Sequence, residues 1–590
     1  MVIAFVAERA GVTSKAEHAP AVAFKQPKLH TAGESNLSRK TASTSGKPSL
    51  ADFAAVHSHC AVYTAPRVAE AMLDRVGWTA NADLRGRRLL EPACGDGSFL
   101  LPAIERLVAS LRRHRVCDEQ RLADAIVAFE FDPETAEALK ARVVELLANT
   151  GLSRKVAARV ASGWVRCEDF LLANDLSSFS DVVGNPPYMR WSKVPEKLRR
   201  SYEKYLPAYA ARGDLCLAFV CRAVELLHQD KGHLAFLCAD RWLRCAYGAE
   251  ARGSLESAVR LSMHLEVHDV PVFVGTRKVG AYAAITILDR DRKGEVVVAR
   301  ATSIDDLCKR LLPDAGRSTA SHASRLTGSG GAVLAGADLA ATFCKIVEST
   351  PTLAEAGVEV RCGMALGCAP VFIVEAETTI ESERLVPWIK TRDLLDDGTV
   401  EPSARLVDVW NNGESLVDLD EYPELRAHLK FHEAALQKRA CVAAPSQWYR
   451  TIDRLSRTRM SAPKILVAGM SKFSRVAMSH GGAQPSNAIY SLSSTEWPLA
   501  ALFAVLRSGA LDIFSAVLSP RFSGGVKRFD GNLLRQVRLP RWSEVAPSLQ
   551  KRLLALDVGT PTPRPELLSE LYGISHATHK KALASAVARD

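Results

Sequence analysis

This 590-residue chain is conspicuous first for what it lacks. Its thirteen cysteines form no C-x-x-C pair and follow no regular spacing. That pattern argues against a disulfide framework or a zinc site, and for reduced thiols in a cytoplasmic setting. No stretch approaches the run of about 18 apolar residues that crosses a bilayer, so no membrane segment is expected. Met1 to Ala7 are apolar but have neither a basic leader nor a cleavage pattern, so no signal peptide is expected. No metal-dependent nuclease carboxylate cluster is recognisable, which speaks against DNA cleavage by this chain. The one tight His/Cys cluster, His57-Ser58-His59-Cys60, reads as a plain loop, and no metal is expected.

What is present is ordinary in bulk. Hydrophobic residues make up 47% and charged residues 24%, the proportions of a folded globular protein of two or three domains. The net charge of +10 is a modest excess that favours a polyanionic partner. Residues 1–50 are rich in Ser, Thr, Lys, Ala and Gly without an apolar period, and read as a disordered basic arm. Residues 51–315 carry the pattern of an α/β domain. Residues 316–336 change to Ser, Gly, Ala and Thr, a linker composition. A second domain follows over 337–542, with strands suggested at Val358–Met364 and Pro370–Val374 and helices at Pro423–Leu436 and Trp497–Leu506. Residues 543–590 read as a helical tail.

The densest chemistry lies in the first domain. Leu89 to Phe99 reads as strand, Gly-x-Gly turn and helix, with Glu91 at the end of the strand. This is the opening of a nucleotide-binding unit. The next strand, Ala125–Phe129, runs into Glu130, where nucleotide folds bind ribose hydroxyls. A third strand, Trp164–Cys167, is followed by Asp169 and Phe170. The fourth ends in Asn185-Pro186-Pro187-Tyr188. Four successive strands thus deliver polar or aromatic groups to their carboxyl ends, where open α/β sheets bind ligands. The proline pair cannot continue a ladder, so the last group sits on a stiff corner. Asn185 and the Pro186 carbonyl offer two acceptors to one planar amino group, and Tyr188 offers a ring to stack on it. Nothing in that tetrad is a nucleophile or a titrating base.

Taken in order, these pieces resemble the γ-class, TaqI-like adenine-specific DNA methyltransferases of restriction–modification systems. The resemblance rests on Tyr63-Thr64 with Pro66, Glu91 to Phe99, Glu130 to Pro133, Asp169 to Leu172, the Asn185 tetrad, Trp242-Leu243 and Tyr247-Gly248. Ala65 stands where the family has a further proline. The region Leu385–Trp542 looks like the family's target-recognition domain. The fold implied is a Rossmann-like S-adenosylmethionine-dependent domain with a mostly parallel seven-stranded sheet, followed by a mixed α/β recognition domain. By the same resemblance, Thr64 and Glu91 hold the methionine end of S-adenosylmethionine, and Ala93, Gly95 and Gly97 belong to the same cofactor set. Glu130 takes the ribose hydroxyls. Asp169 accepts from the cofactor's adenine amine, with Phe170 beside it and Phe131 and Phe219 on the adenine's two faces. The alternative for those two rings is ordinary core.

The activity expected is methylation of the exocyclic N6 of an adenine flipped out of duplex DNA. Asn185, Pro186, Pro187 and Tyr188 would be catalytic, and Tyr188 and Phe273 would wall the base. Basic and aromatic residues interleave in the second domain, so Trp448, Arg450, Arg454, Lys527 and Arg528 are candidates for DNA contact; a solvated basic face is the bland alternative. Double-stranded DNA is the expected partner, a cognate restriction endonuclease a possible one, and the protein is expected to be a monomer. Because Asn-Pro-Pro-Tyr suits any planar amine, methylation of RNA or of protein glutamine remains an alternative. So does a non-catalytic DNA-binding subunit of a restriction assembly, although such a subunit has no need of Glu91, Glu130, Asp169 and Asn185 together.

Overall fold

A computed structural model describes residues 62–115, 118–268, 270–275, 283–291, 296–312, 320–321, 335, 337–375, 377–411, 413–442, 444–519, 521–522, 525–556 and 565–587. The expected N-terminal arm, the His57–Cys60 cluster and most of the expected linker lie outside these residues. The strands of the first domain are β1 (Leu89–Glu91), β2 (Ile126–Phe129), β3 (Val165–Arg166), β4 (Asp181–Gly184), β5 (His233–Ala239), β6 (Arg260–Glu266), β7 (Ala283–Asp289), β8 (Val296–Arg300) and β9 (Ala320–Ser321). They form one sheet in the order β3-β2-β1-β4-β5-β7-β6-β8-β9. The first five strands in that order are parallel, β7 runs antiparallel between β5 and β6, and β8 is parallel to β6. All seven expected strands are present. The two further ones extend the edge, and β9 falls inside the stretch expected to be linker.

The inner strands are apolar throughout because they are covered on both faces. β2 and β4 are buried along their whole length. One layer packs Leu100, Ile104 and Leu107 of the helix Leu100–Arg113 with Leu139 and Val143 of the helix Pro133–Asn149. The opposite layer packs Phe129, Phe170, Phe219 and Trp242. Helix entries follow local chemistry. Pro66 opens the helix Pro66–Arg75, and the Asp132 carboxylate accepts from the Thr135 amide at the start of Pro133–Asn149.

The chain leaves β1 for β2 on one side and later lays β4 on the other. The switch point therefore falls between β1 and β4, and opens a crevice at their carboxyl ends. Glu91 ends β1, and Asn185 follows β4.

The region expected to form the second domain has a four-stranded antiparallel sheet ordered Val358–Cys362, Ile489–Ser494, Lys464–Ala468, Val476–Ser479, and packs with the first in one compact unit. A smaller mixed sheet carries Leu385–Ile389 and Ala404–Val407. The expected strand Pro370–Val374 is instead a helical turn, Ala369–Phe372, with only Ile373–Val374 extended. The expected helix Trp497–Leu506 is longer. It runs as Leu499–Val505, a wide turn at Leu506–Ala510 where Gly509 takes φ 94°, and Leu511–Leu518. By length and composition Leu499–Leu518 could cross a membrane (mean hydropathy 1.7), contrary to the reading of the sequence. Its apolar surface is instead enclosed by the protein, with 89% of the window buried, so it is a core helix. Helices Pro547–Leu554, Pro565–Leu571 and His576–Val587 pack around it. Leu549, Leu568 and Ala582 share its core with Phe343 and Phe514. The expected tail is thus part of that core.

Candidate active site

Three segments distant in sequence meet over the crevice. The stretch Tyr63–Ala65 pairs with the loop around Phe273: Ala65 N donates to Val272 O (2.8 Å) and Val274 N to Tyr63 O (2.9 Å). Asn185 Nδ2 donates to the Val62 carbonyl at 3.0 Å, which ties the proline corner to the same stretch. The resulting cavity encloses about 790 Å³, counting its open mouth. Its wall includes Thr64, Glu91, Ala93, Gly95, Glu130, Phe131, Asp169, Phe170, Asn185, Pro187 and Phe219.

Electrostatics narrows what this cavity can hold. Five carboxylates line it (Glu91, Asp96, Glu130, Glu168 and Asp169) and no lysine, arginine or histidine does. A phosphate-bearing nucleotide would meet only repulsion there. Burial pushes the Glu91 carboxyl well above its ordinary range, helped by Asp96 and Glu130 and opposed by the Leu100 amide. Asp169 is raised to about 6 by burial, against the Tyr202 hydroxyl and the amides of Leu171 and Leu172. Glu130 is held by its neighbours: Gly95 N donates to Oε2 (3.1 Å) and Asp132 N to Oε1 (2.8 Å).

Buried polar atoms without a hydrogen bond are costly and call for an explanation. Three of them line this one cavity: Thr64 Oγ1, Glu91 Oε2 and Asn185 Oδ1. The Asn185 amide donates backwards to Val62, so its oxygen is the atom left to bond a ligand.

Other expected site residues sit differently. Pro186, expected to be catalytic, is absent from the cavity wall, and so is Gly97. At φ +87° it faces the helix Pro133–Asn149, and an added Cβ would lie 2.5 Å from Leu139 Cδ1. Its role is the close approach of turn to helix. Tyr188 donates from its hydroxyl to Leu237 O (2.9 Å) and meets Phe273 edge-on, with ring centroids 5.8 Å apart and planes at 86°. No base fits between two perpendicular rings that close, so Phe273 is a side wall to Tyr188 rather than a parallel plate. Tyr202, which the sequence did not single out, lines the cavity from the helix Glu196–Tyr205.

The second domain holds a larger cleft of about 1830 Å³, counting its mouth. It is lined by Arg361, Arg454, Arg459, Lys464 and Arg535, by the acids Glu359 and Asp453, and by the amides Gln484 and Asn487. Of the five residues expected to touch DNA, only Arg454 is there. Trp448 is buried in the domain core beneath Lys430, and Lys527 is buried as well. Arg450 lies over Trp410 and bonds Gln447, and Arg528 lies 3.7 Å from Asp530. Arg361 comes from a strand remote from the basic run, which hid it in the sequence.

A second charged cluster is buried outside both cavities. Asp240, His264 and Glu266 bring ligand-type atoms within 4.8 Å of one another. The Arg244 guanidinium already bridges the two acids, at 3.1 Å to Asp240 and 2.6 Å to Glu266, so the group reads as an ion-pair network.

A crevice at the switch point that favours positive charge and repels phosphate suits a sulfonium nucleoside amino acid. Fold and site together define an S-adenosylmethionine-dependent methyltransferase. The Eco57I restriction–modification methylase family matches residues 129–273. Over most of its length the chain is similar to the type II methyltransferase M.PaeR7I of Pseudomonas aeruginosa, with 34% identity over 543 residues, 89% of this chain and 94% of that one. It is also similar to the type II methyltransferase M.XhoI of Xanthomonas vasicola, 32% identical over 537 residues, 88% of this chain and 97% of that one. Its fold is like that of the type IIL restriction–modification enzyme MmeI, whose structure was solved with DNA (TM-score 0.55, 14% identity, 92% of this chain and 75% of that one). The chain therefore belongs to the family of type II restriction–modification methyltransferases. It is an enzyme that methylates DNA with S-adenosylmethionine as donor.

Proposed function

We propose that the methyl acceptor is the N6 amine of an adenine turned out of the duplex, and that Asn185 is the residue that activates it. The observation carrying this reading is the buried, unpartnered Asn185 Oδ1 on the wall of the acidic cavity. An adenine N6 lone pair is delocalised into the ring and is a poor nucleophile. Asn185 Oδ1 and the Pro186 carbonyl accept hydrogen bonds from its two N–H groups and draw the nitrogen toward a tetrahedral arrangement. The rigid corner holds both acceptors before the base arrives, so positioning accounts for most of the acceleration. Tyr188 stacks on the extruded base with Phe273 at its edge. Stacking returns about 1–3 kcal/mol against an extrusion cost of a few kcal/mol.

When bound, S-adenosylmethionine supplies a methyl group already activated by its positive sulfur. Thr64 and Glu91 hold its methionine end, Glu130 its ribose hydroxyls, and Asp169 the amine of its adenine between Phe131 and Phe219. The three unpartnered atoms and a wall whose charged side chains are all carboxylates support this assignment.

Residues 337–542 read the DNA. The cleft carrying Arg361, Arg454, Arg459 and Arg535 suits phosphates, and Gln484 and Asn487 suit base edges. The enzyme acts as a monomer in the cytoplasm, and its match to a restriction–modification methylase family supports a cognate endonuclease beside it.

Digestion of DNA methylated by the purified protein should yield N6-methyladenine as the modified nucleoside. N4-methylcytosine or 5-methylcytosine instead would overturn the adenine assignment. Asn185→Ala should lower methyl transfer about 100- to 1000-fold, in line with the loss of one preorganised hydrogen-bonding group, while cofactor affinity stays within a few-fold. Full turnover in that variant would remove Asn185 from the mechanism.

A further inference from the structure

The chain between β4 and the helix Leu215–Glu225 makes an excursion that closes on itself. Trp191 N donates to Gly213 O and Leu215 N to Met189 O, both at 2.8 Å, so the backbones of Arg190 and Asp214 pair as an isolated antiparallel bridge. This neck begins one residue after Tyr188, so the excursion is rooted in the proline corner. Its helix Glu196–Tyr205 lies over the cofactor cavity and presents Tyr202, 3% exposed and stacked at a tilt on Trp191 with centroids 6.0 Å apart. The Tyr202 hydroxyl donates to Asp169 Oδ2 at 2.5 Å, while Leu171 N donates to Oδ1 at 2.8 Å.

We infer that Tyr202 is a positioning residue for cofactor recognition: through its bond to Asp169 it keeps that carboxylate aimed and ionised for the adenine amine of S-adenosylmethionine. The inference rests on Asp169 being the acceptor for that amine. A carboxylate held from both sides cannot rotate away, and a phenolic donor favours its charged form. The carboxyl needs that help, because burial alone raises it and it titrates near 6. The other ionisable groups on the cavity are the acids Glu91, Asp96, Glu130 and Glu168, the Tyr63 phenol and the Cys94 thiol, none of which supplies a positive charge. Among the described residues, Tyr202 is therefore the one side chain that donates a hydrogen bond to the Asp169 carboxylate.

The linkage gives the sign. Asp169 accepts best when ionised, so affinity for the adenosyl group falls as pH drops through its titration. Removing the Tyr202 hydroxyl raises that titration further. S-adenosylhomocysteine binding, measured by calorimetry on the full chain from pH 5.5 to 8.5, should lose affinity in Tyr202→Phe at a pH about one unit higher than in the unaltered protein, the size expected for one lost hydrogen bond to a charged group. The deficit should be about threefold at pH 6.5, rise to about eightfold at pH 5.5, and vanish toward pH 8.5. Glu91 and the other acids are common to both proteins and cancel in the comparison. Tyr205→Phe, the same change at an exposed position of the same helix, should leave the profile in place.

Phe keeps the ring packed on Trp191, and an unchanged melting temperature checks this. A Tyr202→Phe profile superimposable on the unaltered one overturns the inference. Asp169→Ala separates it from the reading beneath it. If that variant loses the ligand while the Tyr202→Phe profile does not move, only the role of Tyr202 fails; if Asp169→Ala binds as tightly as the unaltered protein, both fail.

Discussion

Single side chains in this protein trade stability for chemistry. Glu91 is 1% exposed, and burial holds its carboxyl far above the ordinary 4.5. A group raised by folding stabilises the fold fully below its unfolded value and loses that contribution as pH rises. Glu91→Gln should therefore match the unaltered protein in urea melts near pH 4 and exceed it by on the order of 1–2 kcal/mol at pH 8. The same variant should bind S-adenosylmethionine less tightly. A cationic ligand favours the ionised carboxyl, so binding to the unaltered protein at neutral pH should release protons. Calorimetry in buffers of different ionisation heat reads that release, and Glu91→Gln should reduce it. A variant without the stability gain at pH 8 would mean that Glu91 is not held protonated.

Among elements, the turn from β1 to its helix shows how backbone conformation sets a site. Gly97 sits at φ +87° with Leu139 of the neighbouring helix where a Cβ would go. Gly97→Ala combines an unfavourable conformation with a clash, and should cost about 1–3 kcal/mol. Because the turn carries Gly95, whose amide bonds Glu130, cofactor affinity should drop as well, although Gly97 itself does not line the cavity. Thermal melting with and without S-adenosylhomocysteine measures both effects; an unshifted melting temperature would show that Leu139 yields without cost. The helix Leu499–Leu518 teaches the converse lesson, since composition alone marks it as a membrane span while its neighbours make it a core.

Across the whole molecule, Arg244 ties the nine-stranded sheet to the helix Leu499–Leu518. It is 5% exposed, pairs with Asp240 and Glu266 on the catalytic side, and donates to Val517 O of the second domain at 3.2 Å. Arg244→Ala removes the cation that bridges two buried carboxylates, and should cost about 3–5 kcal/mol. Loosening the junction should also separate the unfolding of the two domains in denaturant melts. An unchanged single transition would show that the cluster does not hold them together. DNA affinity should fall steeply with salt. Arg361→Ala and Arg459→Ala should each weaken binding across sequences and reduce the salt slope by about one; unaltered slopes would place the DNA elsewhere.

The placement of Glu91, Glu130 and Asn185 was legible in the chain because each follows the apolar run of a doubly covered strand, whereas Asp169 follows only the two-residue edge strand Val165–Arg166. That local pattern determined the sheet, the crevice and the kind of ligand. Sequence could not give the contacts made at long range. Tyr202 reaches Asp169 from 33 residues away, Val62 orients Asn185 from 123 residues away, and Arg361 joins a cleft whose other arginines, Arg454, Arg459 and Arg535, lie far along the chain. Trp448 and Lys527 looked like DNA contacts because basic and aromatic residues alternate there, yet packing turned them inward. Periodicity records which face of an element is apolar; which polar groups then share a cavity is decided only when the elements pack.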